Sequence, residues 1–298
     1  MALNTTTREH RLAIPFRRPF ADQSLRHVTL VEGPSGWGEF SPLPGYPCDP
    51  SKARRAAMEA ACGTWPPAVR DRVEVNALVP ALPPEAAATV AAEAVAAGFR
   101  TVKIKVGPTT TDETRVRAVR DAVGPTVRVR LDCNGAWDLE TAVTILNRLA
   151  HLDLELVEQP VQTLDELARL RRRVPVSLAA DESVRSLDDA ARLADLDAVD
   201  ALVVKVQCLG GTAAAMEIAD VAGVPVIVSS LYETSIGLAA GLALAAALPN
   251  LPYACGLGTG DLLAGDVVTD PLLAVDGVLT VRRPEPDAAL LARYSEAP

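Results

Sequence analysis

The sequence predicts an α/β protein: a (β/α) barrel of the modified TIM type, capped by an α+β unit built from the front of the chain and its tail. Three observations predict it. Short β-branched runs alternate with Ala/Leu-rich helical stretches from about residue 73 onward. The repeat is even, near 25 residues per unit, and no GxGxxG follows the first strand, which favours a closed barrel over an open doubly wound sheet. Charged residues recur with that same period at the ends of the strands.

Residues 1–72 precede the alternation and read as the cap. LRHVTLVEG and GWGEFSP look like antiparallel strands, and SKARRAAMEAAC looks like a helix. Segments 16–25 and 41–50 are polar or Pro/Gly-rich and are expected as lid loops, with Arg17 and Arg18 read as surface charges.

The barrel is expected over 73–263. Its strands are 73–79, 101–106, 126–132, 154–158, 176–180, 201–206, 225–229 and a weak eighth near 253–255. Helices are expected near 84–97, 112–123, 138–149, 163–172, 187–195, 211–221 and 234–247. Thr163 with Glu166, and Ser186 with Asp189, fit capping boxes, while Gly98 and Gly223 sit where helices should stop. Residues 264–298 resemble a strand or two with turns, returning to the cap.

Composition bounds the partners. The net charge of −9 argues against nucleic acid or an anionic membrane surface, which call for a basic face. It leaves a small anionic substrate open, because a local cation inverts the field. Five cysteines without a CxxC pair point to reduced thiols, and the polar opening MALNTTTREHR lacks a signal peptide's apolar stretch, so a cytoplasmic location is expected. The most apolar run, Ile236 to Leu248, is too short to span a bilayer, and its GxxxG implies a close helix contact. Oligomeric state is not legible.

The strongest signal is the spacing of Lys105, Asp132, Glu158, Asp181 and Lys205, separated by 27, 26, 23 and 24 residues. Each stands at or just after a strand's C-terminal end, so in a barrel they converge on one mouth. Burying several charges without a use is costly. Three converging carboxylates repel unless a cation sits among them, and all-oxygen ligands suit Mg²⁺, with Mn²⁺ as a substitute. The bland alternative, that each carboxylate caps a following helix, is weakened because Asp138 and Ser186 already fill that role.

Lys103 and Lys105 share one strand face. If that face is the interior, their mutual repulsion lowers a lysine's pKa and supplies a neutral amine as general base, while Val102, Ile104 and Val106 pack outward under helices. Arg130 shares the inward face of Asp132, as an anion partner or as an interior structural ion pair. His10, His27 and His151 have no partners in the pattern and are assigned no chemistry.

Together KIKVG (103–107), RLDCNGAW (130–137), LVEQP (156–160), ADES (180–183) and VVKVQCLGG (203–211) resemble the enolase superfamily, in its muconate-lactonizing-enzyme-like subgroup. The resemblance runs in order across the whole barrel. It implies Asp132, Glu158 and Asp181 as Mg²⁺ ligands and Lys105 with Lys205 as the catalytic pair. Lys103 would tune Lys105, and Asn134 and Glu182 would lie beside the metal without ligating it. Cys133 stands where the motif is expected to carry alanine, with its side chain pointing outward.

Within the subgroup the short chain, the RxDxNxxW pattern and SSLYETSIGLAAGLALAAALP (229–249) are most similar to the o-succinylbenzoate synthase family. That likeness implies a small carboxylate substrate and a syn-dehydration, with Ser235 and amides at a helix start holding the succinyl carboxylate. N-acylamino acid racemase or dipeptide epimerase is the alternative with the same lysines and metal. A Schiff-base aldolase and a non-catalytic barrel are the rivals from other classes.

Overall fold

A computed structural model describes residues 7–20, 23–109 and 111–296. The front of the chain forms a three-stranded antiparallel sheet, β1 (Arg8–Phe20), β2 (Gln23–Gly33) and β3 (Gly36–Phe40). The segment 16–25, expected as a loop, therefore largely extends this hairpin; Ala21 and Asp22 lie outside the described residues.

Helix α1 (Pro50–Cys62) starts cleanly because Asp49 accepts from the Ser51 amide and Pro50 has no N–H left in need of an acceptor. It buries Ala53, Ala56, Ala57, Ala60 and Ala61. Small side chains on both partners allow close approach: a Cβ at Gly38 would lie 2.0 Å from the Ala57 carbonyl oxygen.

Seven parallel strands follow in the order β5 (Ala77–Val79), β6 (Thr101–Lys105), β7 (Arg128–Asp132), β8 (Leu154–Glu158), β9 (Leu178–Ala180), β10 (Ala201–Val204) and β11 (Val226–Val228). The expected first strand is split: β4 (Arg72–Glu74) pairs antiparallel with β12 (Val278–Thr280), and only 77–79 joins the parallel sheet. The expected eighth strand is not regular. Single parallel bridges, Ser229 with Gly256 and Val75 with Cys255, join the two edges of the sheet through residues 255–256 and close the ring.

The helices are α2 (Pro84–Ala96), α3 (Asp112–Val123), α4 (Leu139–Leu149), α5 (Leu164–Arg171), α6 (Leu187–Leu196), the short α7 (Val206–Leu209), α8 (Thr212–Ala222), α9 (Ser235–Ala247) and α10 (Ala288–Tyr294). Thr163 and Glu166 form a capping box on α5, and Asp138 and Ser186 cap α4 and α6.

Strand alternation separates two cores. Outward Val102, Ile104, Val129, Leu131 and Val157 pack with helix residues such as Val116, Val119, Leu146 and Leu167; Cys133 belongs to this layer. Inward Leu156, Ala179, Ala201, Val203 and Ile227 fill the barrel's interior with Tyr253. Each fully buried Leu or Val contributes roughly 1.5–3 kcal/mol, so the two-sided burial explains why these strands are apolar where they are not catalytic candidates.

Helix α9 is buried on nearly every side, which accounts for its unbroken apolar sequence. A Cβ at Gly241 would stand 2.8 Å from Leu257 Cδ2, a close packing contact. Among the described residues no helix is long and apolar enough to cross a membrane. The tail runs back to the cap, where Leu291 and Tyr294 of α10 join Leu12, Ile14 and Phe16 in one cluster.

Candidate active site

The register brings the predicted charges together at the C-terminal mouth of the barrel. Lys105 pairs with Asp132 across β6 and β7, Asp132 pairs with Glu158 across β7 and β8, and Asp181 and Lys205 each follow directly after the next strands, β9 and β10. All three carboxylates are at most 2% exposed. A cavity of about 520 Å³ opens beside Asp132, lined by Lys103, Lys105, Asp132, Asn134, Glu182 and Lys205 from the barrel and by Leu43 and Tyr46 from the cap.

The contacts are dense. Lys103 Nζ lies 2.9 Å from Asp132 Oδ2 and 3.0 Å from Glu158 Oε2. Lys105 Nζ donates to Asp132 Oδ2 and to Asn134 Oδ1, both at 2.7 Å, and Asn134 Nδ2 donates to Glu182 Oε1 at 2.8 Å. Lys205 pairs with Asp181. Tyr46 Oη donates to Asp181 Oδ1 at 2.8 Å and accepts from Lys205 Nζ at 2.9 Å.

Burial and the charge of Asp132 push Glu158 up to about 8, with Lys103 opposing and Asp181 adding to the rise. Burial acts the same way on Asp132, but Lys103 and Lys105 outweigh it and hold that carboxyl below its usual range. Burial would lower Lys105; Asp132 overcomes both burial and the repulsion from Lys103, so the lysine stands raised and charged. The like charge of Lys103 alone would favour the expected neutral amine, but the carboxylate facing Lys105 outweighs it, so this arrangement holds the ammonium.

Whether a divalent cation suits these residues turns on the donor set. As the side chains stand, no three His, Cys, Asp or Glu among the described residues are close enough together to hold an ion. Ammonium groups lie between the carboxylates instead. Yet three buried carboxylates in adjacent registers are a hard, all-oxygen set, and Asp132 Oδ1 is buried without a hydrogen-bond partner. Such residues fit a divalent cation.

Two expected substrate contacts lie elsewhere. Arg130 faces inward, but at the barrel floor: Nε pairs with Glu155 Oε2 at 2.5 Å, Nη1 donates to the Ala254 carbonyl at 2.7 Å, and the guanidinium lies 5.5 Å from the Tyr253 ring centre. It is the structural ion pair of the two readings. Ser235 is fully buried; its Oγ donates to Asp266 Oδ2 at 2.8 Å and accepts from the Leu272 amide at 2.7 Å. The amides of the helix start are already taken by Glu39, by Asp266 and by the capping Thr234 hydroxyl.

Two residues escaped the sequence argument. Gln159, fully buried with φ +41°, accepts from the Asp181 amide at 2.7 Å and from the Ser183 hydroxyl at 3.0 Å, fixing the loop that carries Asp181. Its place beside Glu158 in LVEQP was the available signal. Tyr46 reaches the site from the cap, and nothing local in its Pro/Gly-rich loop marks it.

Residues 86–286 match the family described as enolase C-terminal domain-like, and residues 12–61 the enolase N-terminal domain-like family. The o-succinylbenzoate synthase of Thermobifida fusca is 52% identical over 96% of this chain and 91% of its own. That of Mycobacterium marinum is 44% identical over 98% and 89%. Among solved structures, an N-succinyl Arg/Lys racemase from Bacillus cereus aligns with a TM-score of 0.90 at 20% identity, covering 99% of each chain. Muconate lactonizing enzyme from Pseudomonas putida aligns at 0.88 and 22%, over 99% of this chain and 100% of its own. These two likenesses speak for the fold. The family match over more than half the length and the 52% identity along nearly all of it lead to one conclusion: the chain belongs to the enolase superfamily, in its o-succinylbenzoate synthase family.

Proposed function

We propose that the chain is a lyase that dehydrates 2-succinyl-6-hydroxy-2,4-cyclohexadiene-1-carboxylate to o-succinylbenzoate, the step that serves menaquinone biosynthesis. The observation that carries this reading is the likeness to o-succinylbenzoate synthases along nearly the whole chain, joined to a cavity walled by Lys103 and Lys105 of β6 and by Lys205 just after β10.

Asp132, Glu158 and Asp181 would hold Mg²⁺, with Mn²⁺ as a substitute. Bound there, the cation supplies Lewis-acid stabilisation of the negative charge that builds on the substrate carboxylate. A cation held there would offset the Asp132 charge that keeps Lys105 protonated, and the Lys103 ammonium beside it would then favour the neutral amine. Lys105 takes the α-proton; the C–H pair becomes ring π-bonding, the C–OH bond breaks, and the same lysine returns the proton to the departing hydroxyl as water. Lys205 stays charged across the cavity and stabilises the planar anion. Asn134, itself held by Glu182, accepts from Lys105 and helps fix where its ammonium stands.

A second reading shares every residue. One lysine on each face of a substrate also suits proton exchange at a stereocentre, the chemistry of an N-acylamino acid racemase or dipeptide epimerase. A paired assay separates them: the chain should form o-succinylbenzoate at a rate above its racemisation of N-succinyl amino acids. No o-succinylbenzoate with fast racemisation would transfer the assignment to the racemase.

A further inference from the structure

Lys205 does not stand alone at the cavity wall. The cap loop between β3 and α1 folds on itself, with the Tyr46 amide donating to the Leu43 carbonyl at 3.1 Å and the Cys48 amide to the Tyr46 carbonyl at 2.7 Å. It is tied down from the barrel side by Arg185, whose Nε donates to the Pro47 carbonyl at 3.1 Å and whose Nη1 donates to the Asp181 carbonyl at 2.7 Å. That leaves the Tyr46 hydroxyl with one donation, to Asp181, and two acceptances, from Lys205 and from Arg185 Nη2 at 2.9 Å. Its hydrogen-bonding capacity is full, so it has nothing to offer a substrate. The Lys205 ammonium lies 2.9 Å from this hydroxyl but 4.7 Å from the ring centre, so the hydroxyl dominates and the ring face contributes less.

We propose that Tyr46 is the positioning residue of Lys205: a cap side chain that fixes where the ammonium stands opposite Lys105, so that docking of the cap and placement of the second catalytic lysine are one event. The inference rests on the dehydratase reading and deepens it. A long, flexible lysine side chain loses rate through misplacement, not through substrate binding, and a displacement near 1 Å is enough to matter.

The experiment uses the full chain with Mg²⁺ and the variants Tyr46→Phe and Tyr46→Leu. Tyr46→Phe removes the hydroxyl's bonds to Asp181, Arg185 and Lys205; the lost Lys205 contact should lower kcat for o-succinylbenzoate formation about tenfold, with KM within about threefold. Tyr46→Leu, which also loses the ring, should fall further. Calorimetric titration of the metal-free proteins with Mn²⁺ should give affinities within about twofold of the parent. An unchanged kcat would overturn the proposal. So would a loss of Mn²⁺ affinity parallel to the loss of kcat, which would put Tyr46 at work through Asp181. A Tyr46→Phe chain that fails to fold would assign the hydroxyl to cap docking alone and overturn it equally. If the parent chain makes no o-succinylbenzoate, the dehydratase reading fails instead, and the two failures are distinct.

Discussion

Glu39, on the last strand of the cap, caps the barrel's α9: its Oε2 accepts from the Thr234 amide at 3.1 Å, the Thr234 hydroxyl at 2.5 Å and the Gly237 amide at 3.1 Å. Oε1 takes the Ser41 hydroxyl at 2.6 Å. A residue from one end of the chain thus closes a helix nearly 200 positions away, and the cap and the loop after β11 share one buried polar network with Arg26, Gln207 and Glu233.

This network makes stability depend on pH. Burial, then the charge of Glu233, pushes Glu39 up to about 7, against an ordinary value of 4.5. The folded chain therefore binds a proton that the unfolded chain has released between pH 4.5 and 7, and the Glu39 contribution to stability falls as pH rises through that window. Its full size is on the order of 3 kcal/mol. Glu39→Gln has no proton to gain or lose: its amide oxygen can keep the Oε2 contacts while its amide nitrogen donates to the Ser41 hydroxyl oxygen, reversing that bond, so this slope should vanish. Urea unfolding of both proteins from pH 4.5 to 8 checks it; parallel curves would show that Glu39 titrates normally.

Lys105→Ala and Lys205→Ala should each lower turnover by about 10³-fold in a chain that still folds, because each removes a proton-handling or charge-stabilising group, while Lys205→Ala also leaves buried Asp181 without its lysine and should melt earlier. Ordinary turnover in either variant would remove that lysine from the mechanism. Borohydride with substrate should trap no covalent adduct; a trapped lysine would point to Schiff-base chemistry.

The five-charge pattern was legible because barrel strands repeat in sequence at the interval at which they repeat around the ring, so Lys105, Asp132, Glu158, Asp181 and Lys205 align without knowledge of any distant contact. What depended on remote partners was not legible. Ser235 looked like an anion site until Asp266 and Glu39 took its helix start. The charge on Lys105 is decided by Asp132 on the next strand. The weak eighth strand is a pair of bridges, since residues 255–256 have only to join two edges already in place. Tyr46 enters from a loop whose sequence speaks only of turns.

Metal removal tests the carboxylate set. Exhaustive EDTA treatment should silence the enzyme, and Mg²⁺ or Mn²⁺ should restore it. A binding-linked stabilisation should accompany this, about 2.7 kcal/mol at a hundred times the dissociation constant. Asp132→Asn should lose most of that Mn²⁺-dependent rise in thermal midpoint. Full activity in the stripped protein, or an undiminished rise in the variant, would disconnect Asp132 from the ion.

Arg130 and Asp132 lie two residues apart on one face of β7 yet serve different layers, and that separation predicts opposite phenotypes. Arg130 is 1% exposed and pairs with Glu155 at the floor, below the cavity. Replacing it with Met keeps much of the volume but leaves Glu155 to the looser partner Arg128, 3.4 Å away. Breaking such a pair from one side costs about 3 kcal/mol. Arg130→Met should therefore unfold several degrees earlier while kcat and KM at 20 °C or so below its midpoint stay within about twofold of the parent. The inverse result, a normal melting curve with KM raised tenfold, would return Arg130 to the role of substrate anion partner, because only a residue facing the cavity could weaken binding without weakening the barrel.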